Sequence, residues 1–211
     1  MFKKFANKYI RRKIYQIDAA YPSIKLDHKH LKNLTGLPGR MDLLQLLPHD
    51  GVVAEIGVAQ GEFSDAIIEI CHPSKLHLVD VWHSERYHIS NQEKITSRHK
   101  TAVQNGQLEF NIGLSTEVVH SFQDHYFDWI YLDTDHSYAL TKQELKLYQH
   151  KIKPGGMICG HDYISGNWKG LKRYGVIEAV HEFCIEQDWE IIYLTFETSL
   201  PPSFAIRKMA P

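Results

Sequence analysis

Val53-Ala-Glu-Ile-Gly57-Val-Ala-Gln-Gly61-Glu-Phe-Ser64 passes from an apolar run through two glycines into a helical period. Residues 52–56 have the length and character of a buried strand. Phe63, Ala66, Ile67 and Ile70 then recur at i, i+3, i+4 and i+7, which is one face of a helix. A strand, a tight turn and a helix in that order make the first βα unit of an open sheet. Ligands of such sheets bind outside the carboxyl ends of the strands. The stretch therefore predicts both an α/β architecture and the location of its site.

The same text continues downstream. Apolar runs at 76–79, 108–112, 129–132 and 157–159 alternate with segments of helical period, the pattern of βαβ units around a mostly parallel sheet. Val176, Val180, Phe183 and Cys184 mark one more helix. The end differs. Segments 189–196 and 204–206 both read as strands, with only a short turn at Pro201-Pro202 between them, so they must pair antiparallel. The predicted fold is a Rossmann-like α/β sheet of five parallel strands closed by a C-terminal antiparallel hairpin, with helices on both faces. Upstream, Gly36-Leu-Pro-Gly39 marks a turn before a short helical pattern over 41–47. Residues 1–35, rich in Lys, His and Tyr, are expected to form a helical cap, and residues 36–211 the ligand-binding domain.

With 211 residues, the chain suits one such domain plus a short appendage. Its 43% hydrophobic and 23% charged residues exclude wholesale disorder. Lys plus Arg is 24 against 25 Asp plus Glu, a net charge of −1, so a nucleic-acid partner bound by broad phosphate neutralisation is not expected. Cys71, Cys159 and Cys184 are scattered, which fits reduced thiols and a cytoplasmic setting. No apolar run approaches the roughly 20 residues that a bilayer span needs. The basic opening Met1-Phe-Lys-Lys-Phe-Ala-Asn-Lys-Tyr-Ile-Arg-Arg-Lys lacks the apolar stretch of a secretory signal. It reads as a solvated amphipathic helix, with contact to a membrane surface or a partner as the alternative. A homo-oligomer is compatible with all of this.

The chemistry of the first turn narrows the ligand. Glycines at 57 and 61 let a ligand approach the backbone, but G-x-x-x-G lacks the three-glycine fingerprint of dinucleotide binders. Glu55 stands at the strand end, where a carboxylate would oppose a pyrophosphate and suit an ammonium or sulfonium. Asp80 ends the second strand, a position from which an acid accepts ribose hydroxyls. A cationic adenosine ligand without phosphate points to S-adenosylmethionine. The structural alternatives are a surface Glu55 and a helix-capping Asp80.

Residues 53–64 resemble motif I of the class I S-adenosylmethionine-dependent methyltransferases. Phe127-Asp-Trp-Ile-Tyr-Leu-Asp-Thr-Asp-His-Ser-Tyr138 and Ile152-Lys-Pro-Gly-Gly-Met-Ile-Cys-Gly-His-Asp-Tyr163 resemble the macrocin O-methyltransferase branch of that class. The likeness covers about residues 40–207. It implies that Glu55, Gly57 and Gly61 line the methionine end of the cofactor, that Asp80 holds the ribose, and that Gly113-Leu-Ser115 lies near the adenine. Ser115 can also serve as a helix N-cap.

A second constellation follows the fourth and fifth parallel strands: Asp133, Asp135 and His136 after one, His161 and Asp162 after the other. If those strands are neighbours, about 4.8 Å apart, the side chains can share one ion. An oxygen-rich set with an imidazole suits Mg²⁺ or Mn²⁺ better than structural zinc. The resemblance assigns the metal to Asp133, His161 and Asp162, and several members of the branch carry two acids where His161 and Asp162 stand. The alternative is that His161 and Asp162 hydrogen-bond loop backbone while Asp133 touches the cofactor.

Methyl transfer from a sulfonium is an in-line displacement. A sugar or alcohol hydroxyl needs a base and a cation that stabilises the forming alkoxide. His136 is the expected base, with His161 and Asp133 as competitors. Segments 82–98 and 164–174 are expected to roof the acceptor pocket with Trp82, Tyr87, Tyr163, Trp168 and Tyr174. Arg40 and Arg173 are candidates for holding a carboxylate. The expected activity is metal-assisted O-methylation of a small molecule, a sugar or secondary metabolite. Alternatives are a noncatalytic S-adenosylmethionine-binding protein, a metal-dependent hydrolase on the same fold, and lastly a nicotinamide-dependent reductase.

Overall fold

The computed structural model describes residues 2–82, 90–167, 170 and 172–210. Helix α1 (Phe2–Asp18) is followed by a 3-10 turn at His28–Leu31, strand β1 (Thr35–Leu37) and α2 (Arg40–Leu46). Next come β2 (Val52–Ile56), α3 (Glu62–Cys71), β3 (Lys75–Asp80), α4 (Ser90–Arg98), α5 (Lys100–Gln104) and β4 (Leu108–Ile112). The chain continues through α6 (Ser115–Val118), β5 (Phe127–Leu132), α7 (Tyr138–Tyr148) and β6 (Ile152–Gly160). It ends with β7 (Gly166–Asn167), β8 (Lys172–Arg173), α8 (Val176–Gln187), β9 (Trp189–Thr195) and β10 (Phe204–Lys208).

The main sheet runs β1-β9-β10-β6-β5-β2-β3-β4. Strands β6, β5, β2, β3 and β4 are mutually parallel, and β10 is antiparallel to both β6 and β9. The five parallel strands and the closing hairpin thus lie where the apolar runs put them. The expected sheet is corrected in one respect: it has eight strands, because β1 adds parallel to β9 with Leu37 opposite Thr195. Three residues around Gly36 carry no readable period. A separate hairpin, β7 with β8, occupies part of segment 164–174, which lacked any readable strand or helix period. Segment 82–98 is corrected likewise, since α4 occupies 90–98.

Both faces of the sheet are buried, as parallel strands require. Along β5, Phe127, Ile130 and Leu132 join the layer under α7 and α8, with Leu145, Tyr148, Val180 and Phe183. Trp129 and Tyr131 join the opposite layer with Leu43, Leu44, Phe63, Ile67 and Ile95 from α2, α3 and α4. The chain order reverses between β2 and β5, neighbours in space separated by two intervening strands. That reversal opens a crevice at the carboxyl ends of this pair, the place where open α/β sheets take ligands.

Candidate active site

One row of hydrogen bonds carries the parallel ladder a residue beyond the strands. Gly57 N donates to Val79 O (2.8 Å), Gly113 N to Asp80 O (3.1 Å), Asp133 N to Ile56 O (2.8 Å) and His161 N to Leu132 O (3.0 Å). Gly57, Asp80, Asp133 and His161 are therefore held at one level across four of the parallel strand ends, with Gly113 one residue further along beside them. All five were singled out in the sequence.

The turn after β2 is built from internal bonds. Gly57 and Gly61 have φ +90° and +78°, and Ala59 and Trp82 share the left-handed region at +53° and +41°. Left-handed non-glycine residues concentrated around one turn indicate a backbone that its surroundings over-determine. The protein itself supplies a reason for glycine here beside the expected approach of a ligand. A Cβ at Gly57 would overlap the carbonyl of Asp133, and one at Gly61 would stand 2.6 Å from Ile95 Cγ1. The two glycines admit neighbouring chain segments, so that β5 and α4 can close against the turn. Asp80 Oδ2 accepts from Val58 N (2.8 Å) and Ala59 N (2.9 Å), and its Oδ1 accepts from Trp82 N (3.0 Å). Among the described residues Oδ1 takes that one bond, which leaves lone-pair capacity for a ribose hydroxyl.

Glu55 lies beneath the turn at 2% exposure, accepting a hydrogen bond from Ser64 Oγ in α3. Burial pushes its carboxyl well above the usual range, against the lowering effect of the Ser64 bond. It is not a surface residue. Arg40 stands nearby with its guanidinium 4.8 Å over the Phe63 ring, and its Nε is buried with no partner among the described residues. Arg173 is turned elsewhere, bonded to Asp18 (2.8 Å) and Glu178.

At the other side of the crevice, Asp133, His136, His161 and Asp162 come together. His136 Nδ1 lies 3.1 Å from Asp162 Oδ2. His161 Nδ1 lies 3.5 Å from that same oxygen and 3.7 Å from Asp133 Oδ2. Asp133, His136 and Asp162 each offer a ligand atom within 4.8 Å of the others. His161 Nε2 is buried without a partner among the described residues. His136 and Asp162 adopt left-handed φ of +62° and +57°, turning both side chains back over the strand ends. Burial raises the Asp133 carboxyl, partly offset by the two imidazoles, and burial lowers His136. At His161, burial lowers the pKa but the Asp162 bond and the charges of Asp133 and Asp162 outweigh it, for a net rise. Asp135, the remaining acid of this group, is exposed and accepts from Ser137 N (2.8 Å), shaping the entry to α7.

Two carboxylates and two imidazoles, one with an orphaned nitrogen, fit a divalent cation in donor chemistry. Asp80 level with the first turn, Gly113 one residue beyond it, and an unpartnered Arg40 nitrogen beside the turn fit a zwitterionic nucleoside.

Sequence reasoning missed a buried carboxylate that ties the loop after β4 to the loop after β5. Glu144, fully buried in α7, accepts from Ser115 Oγ (2.6 Å) and Thr134 Oγ1 (3.0 Å). Burial pushes its carboxyl up to about 7. The available signal was an acid on the apolar face of a helix, between Thr141, Leu145 and Tyr148. Ser115 is no N-cap: Leu114 holds that position, and the Ser115 hydroxyl goes to Glu144.

The expected roof is also corrected. Trp82 is 1% exposed, its Nε1 donating to Ala59 O (3.0 Å) and its ring edge-on to Phe110. Tyr163 donates or accepts at His181 Nε2 (2.6 Å) and packs on Phe204. Tyr174 remains at the rim with its ring 4.9 Å from His136. Tyr87 and Trp168 lie outside the described residues. The three cysteines are buried and free.

Sheet order, helices on both faces and a site at the β2/β5 reversal define the class I methyltransferase fold, for which S-adenosylmethionine is the expected cofactor. The family model described as a methyltransferase domain matches residues 54–163, and the chain belongs to that family. Solved structures share the fold at low identity. The pyocyanin biosynthetic protein PhzM is 10% identical with a TM-score of 0.61, over 80% of this chain and 54% of that one. An O-methyltransferase family protein from Burkholderia thailandensis is 9% identical, TM-score 0.60, over 81% and 55% respectively. The tRNA methyltransferase TrmK of B. subtilis is 13% identical, TM-score 0.58, over 82% and 67%. The chain thus spans about half the length of the first two of these proteins. No curated protein matches it.

Proposed function

We propose that this chain transfers the methyl group of S-adenosylmethionine to a hydroxyl of a small molecule, a sugar or secondary metabolite, with a divalent cation such as Mg²⁺ assisting. The observation that carries the reading is the gathering of Asp133, His136, His161 and Asp162 beside the Gly57 turn, with Asp133 and His161 at one level with Asp80. A plain methyl donor site has no need of four titratable groups. An unreactive alcohol does.

In this reading Gly57 and Gly61 shape the turn under the methionine end, with Glu55 supporting it from below. Asp80 holds the ribose, and Gly113 with the Ser115 backbone flanks the adenine. Arg40 takes the cofactor carboxylate, consistent with its orphaned Nε. Asp133, His161 and Asp162 would hold the cation, which when bound stabilises a forming alkoxide. His136, more exposed than His161 (18% against 9% of the side chain), takes the acceptor proton at Nε2 while Nδ1 faces Asp162. A second reading exchanges the two histidines, because Asp133, His136 and Asp162 form the tighter ligand group. The macrocin O-methyltransferase branch is the nearest family reading of these motifs. Residues 1–35 serve as a cap on the catalytic domain, 36–211.

Titration calorimetry with S-adenosylhomocysteine, with and without Mg²⁺, tests the class. Heat with the nucleoside alone supports the cofactor site, and its absence at millimolar protein would end the proposal. A hydroxyl-acceptor screen with and without chelator tests the chemistry: turnover insensitive to chelator and to Asp162→Asn rules out the cation.

A further inference from the structure

Helix α1 is not absorbed by the methyl-transfer reading. Its 17 residues carry Lys3, Lys4, Lys8, Arg11, Arg12 and Lys13 against the single acid Asp18. At 3.6 residues per turn, positions 4, 8, 11 and 12 share one side and positions 2, 5, 9 and 10 the other. By sequence spacing four of the six cations therefore share one side with Tyr15, while Lys3 and Lys13 fall among the aromatic and aliphatic positions of the other. Tyr9 is 65% exposed, Ile10 45% and Tyr15 75%, while Ile14 and Ile17 are partly covered.

The end of this helix is tied to the rim of the candidate active site. Asp18 pairs with Arg173 (2.8 Å), whose guanidinium also lies 4.4 Å over the Tyr21 ring. Tyr21 meets Tyr138 edge-on at the start of α7. Two residues beyond Arg173, Gly175 N donates to the carbonyl of His136 (2.8 Å). The anchor thus connects α1 to the loop that carries His136.

We propose that α1 docks the protein on an anionic membrane surface, lying in the interface with the site rim at the same end of the molecule. Charge complementarity selects the partner. Six cations on one short helix match a bilayer rich in acidic lipid, with a contribution of about 1 kcal/mol, or roughly fivefold in partition, for each Lys or Arg near the surface. The exposed Tyr9 and Ile10 select lipid over nucleic acid. A phosphodiester chain would engage the cations and leave Tyr9 and Ile10 in water, whereas an interface takes both. The helix is about 25 Å long and too charged to span the hydrocarbon, and no helix among the described residues is long and apolar enough to cross a membrane.

The test is co-sedimentation of the full chain with vesicles of phosphatidylcholine alone or with about 30 mol % phosphatidylglycerol. The expected result is sedimentation with the anionic vesicles only, released at about 0.5 M NaCl. The charge-reversed variant R11E/R12E/K13E loses more than tenfold in partition, and Y9S/I10S several-fold, with melting temperature and nucleoside binding unchanged in both. Equal binding to neutral vesicles, no binding to anionic ones, or full binding by the charge-reversed variant would overturn the proposal. So would salt-sensitive capture of a short RNA without vesicle binding.

Discussion

The two sides of the crevice are built on opposite principles. Around Gly57–Gly61 the polar groups are consumed: Asp80 accepts three backbone N–H groups, Ser64 bonds Glu55, and Trp82 locks Ala59. Such a network is rigid before any ligand arrives. Across the crevice, Asp133, His136, His161 and Asp162 face one another over 3.1 to 3.7 Å, with one imidazole nitrogen orphaned. Two neighbouring carboxylates drawn out of water, with one imidazole between them, are an arrangement that a cation or proton relieves. One side stabilises the fold and presents a shape. The other stores charge for chemistry.

Substitutions that separate these roles should differ accordingly, and Gly57→Ala should have the largest effect on stability. Its φ of +90° and its overlap with the Asp133 carbonyl force the turn and β5 apart, at an expected cost of more than about 4 kcal/mol in urea unfolding. A variant within about 1 kcal/mol of the parent would mean that the contact between the two sides is dispensable.

Glu144 ties the loop after β4 to the loop after β5 and should make stability depend on pH. Its pKa is raised from 4.5 to about 7 in the folded state, so the folded chain binds more protons than the unfolded chain between those values. The associated stabilisation is complete below pH 4.5 and is lost as pH rises through about 7, at most about 3 kcal/mol in total. Glu144→Gln should flatten that slope in melts taken from pH 5 to 8, with both hydroxyl partners retained. An unchanged slope would place the titration elsewhere.

Asp80→Ala removes the acceptor of three N–H groups and should cost about 2 to 3 kcal/mol together with most of the nucleoside binding heat. If stability alone fell and calorimetry stayed normal, Asp80 would be a turn residue only. Asp162→Asn should do the reverse. Asparagine tolerates the left-handed φ of +57°, so stability should move by less than about 1 kcal/mol while turnover falls about a hundredfold. A stability loss as large as that of Asp80→Ala would erase the contrast between the two sides.

Much of this plan is visible in the chain itself. The five apolar runs mark the parallel strands because a strand buried on both faces leaves a local signature. The first one or two residues after each run then fall at the carboxyl ends of the strands by geometry alone. Strand β1 escaped because three residues around a glycine carry no period, and it pairs only once β9 lies beside it. Trp82 looked like a loop aromatic because nothing local reveals that its indole would reach back to Ala59, 23 positions away.

By itself the sequence determined the layered α/β core, the strand ends and the residue types gathered there, since apolar period and turn chemistry act over a few neighbouring residues. Only the tertiary structure decided what those residues touch. Gly57 makes room for the Asp133 backbone, Ser115 reaches Glu144 across 29 positions, and Glu55 is buried against Ser64 in the next helix. Contacts of that kind follow from β5 lying against β2, and the order of strands in a sheet is set by the packing of the whole chain.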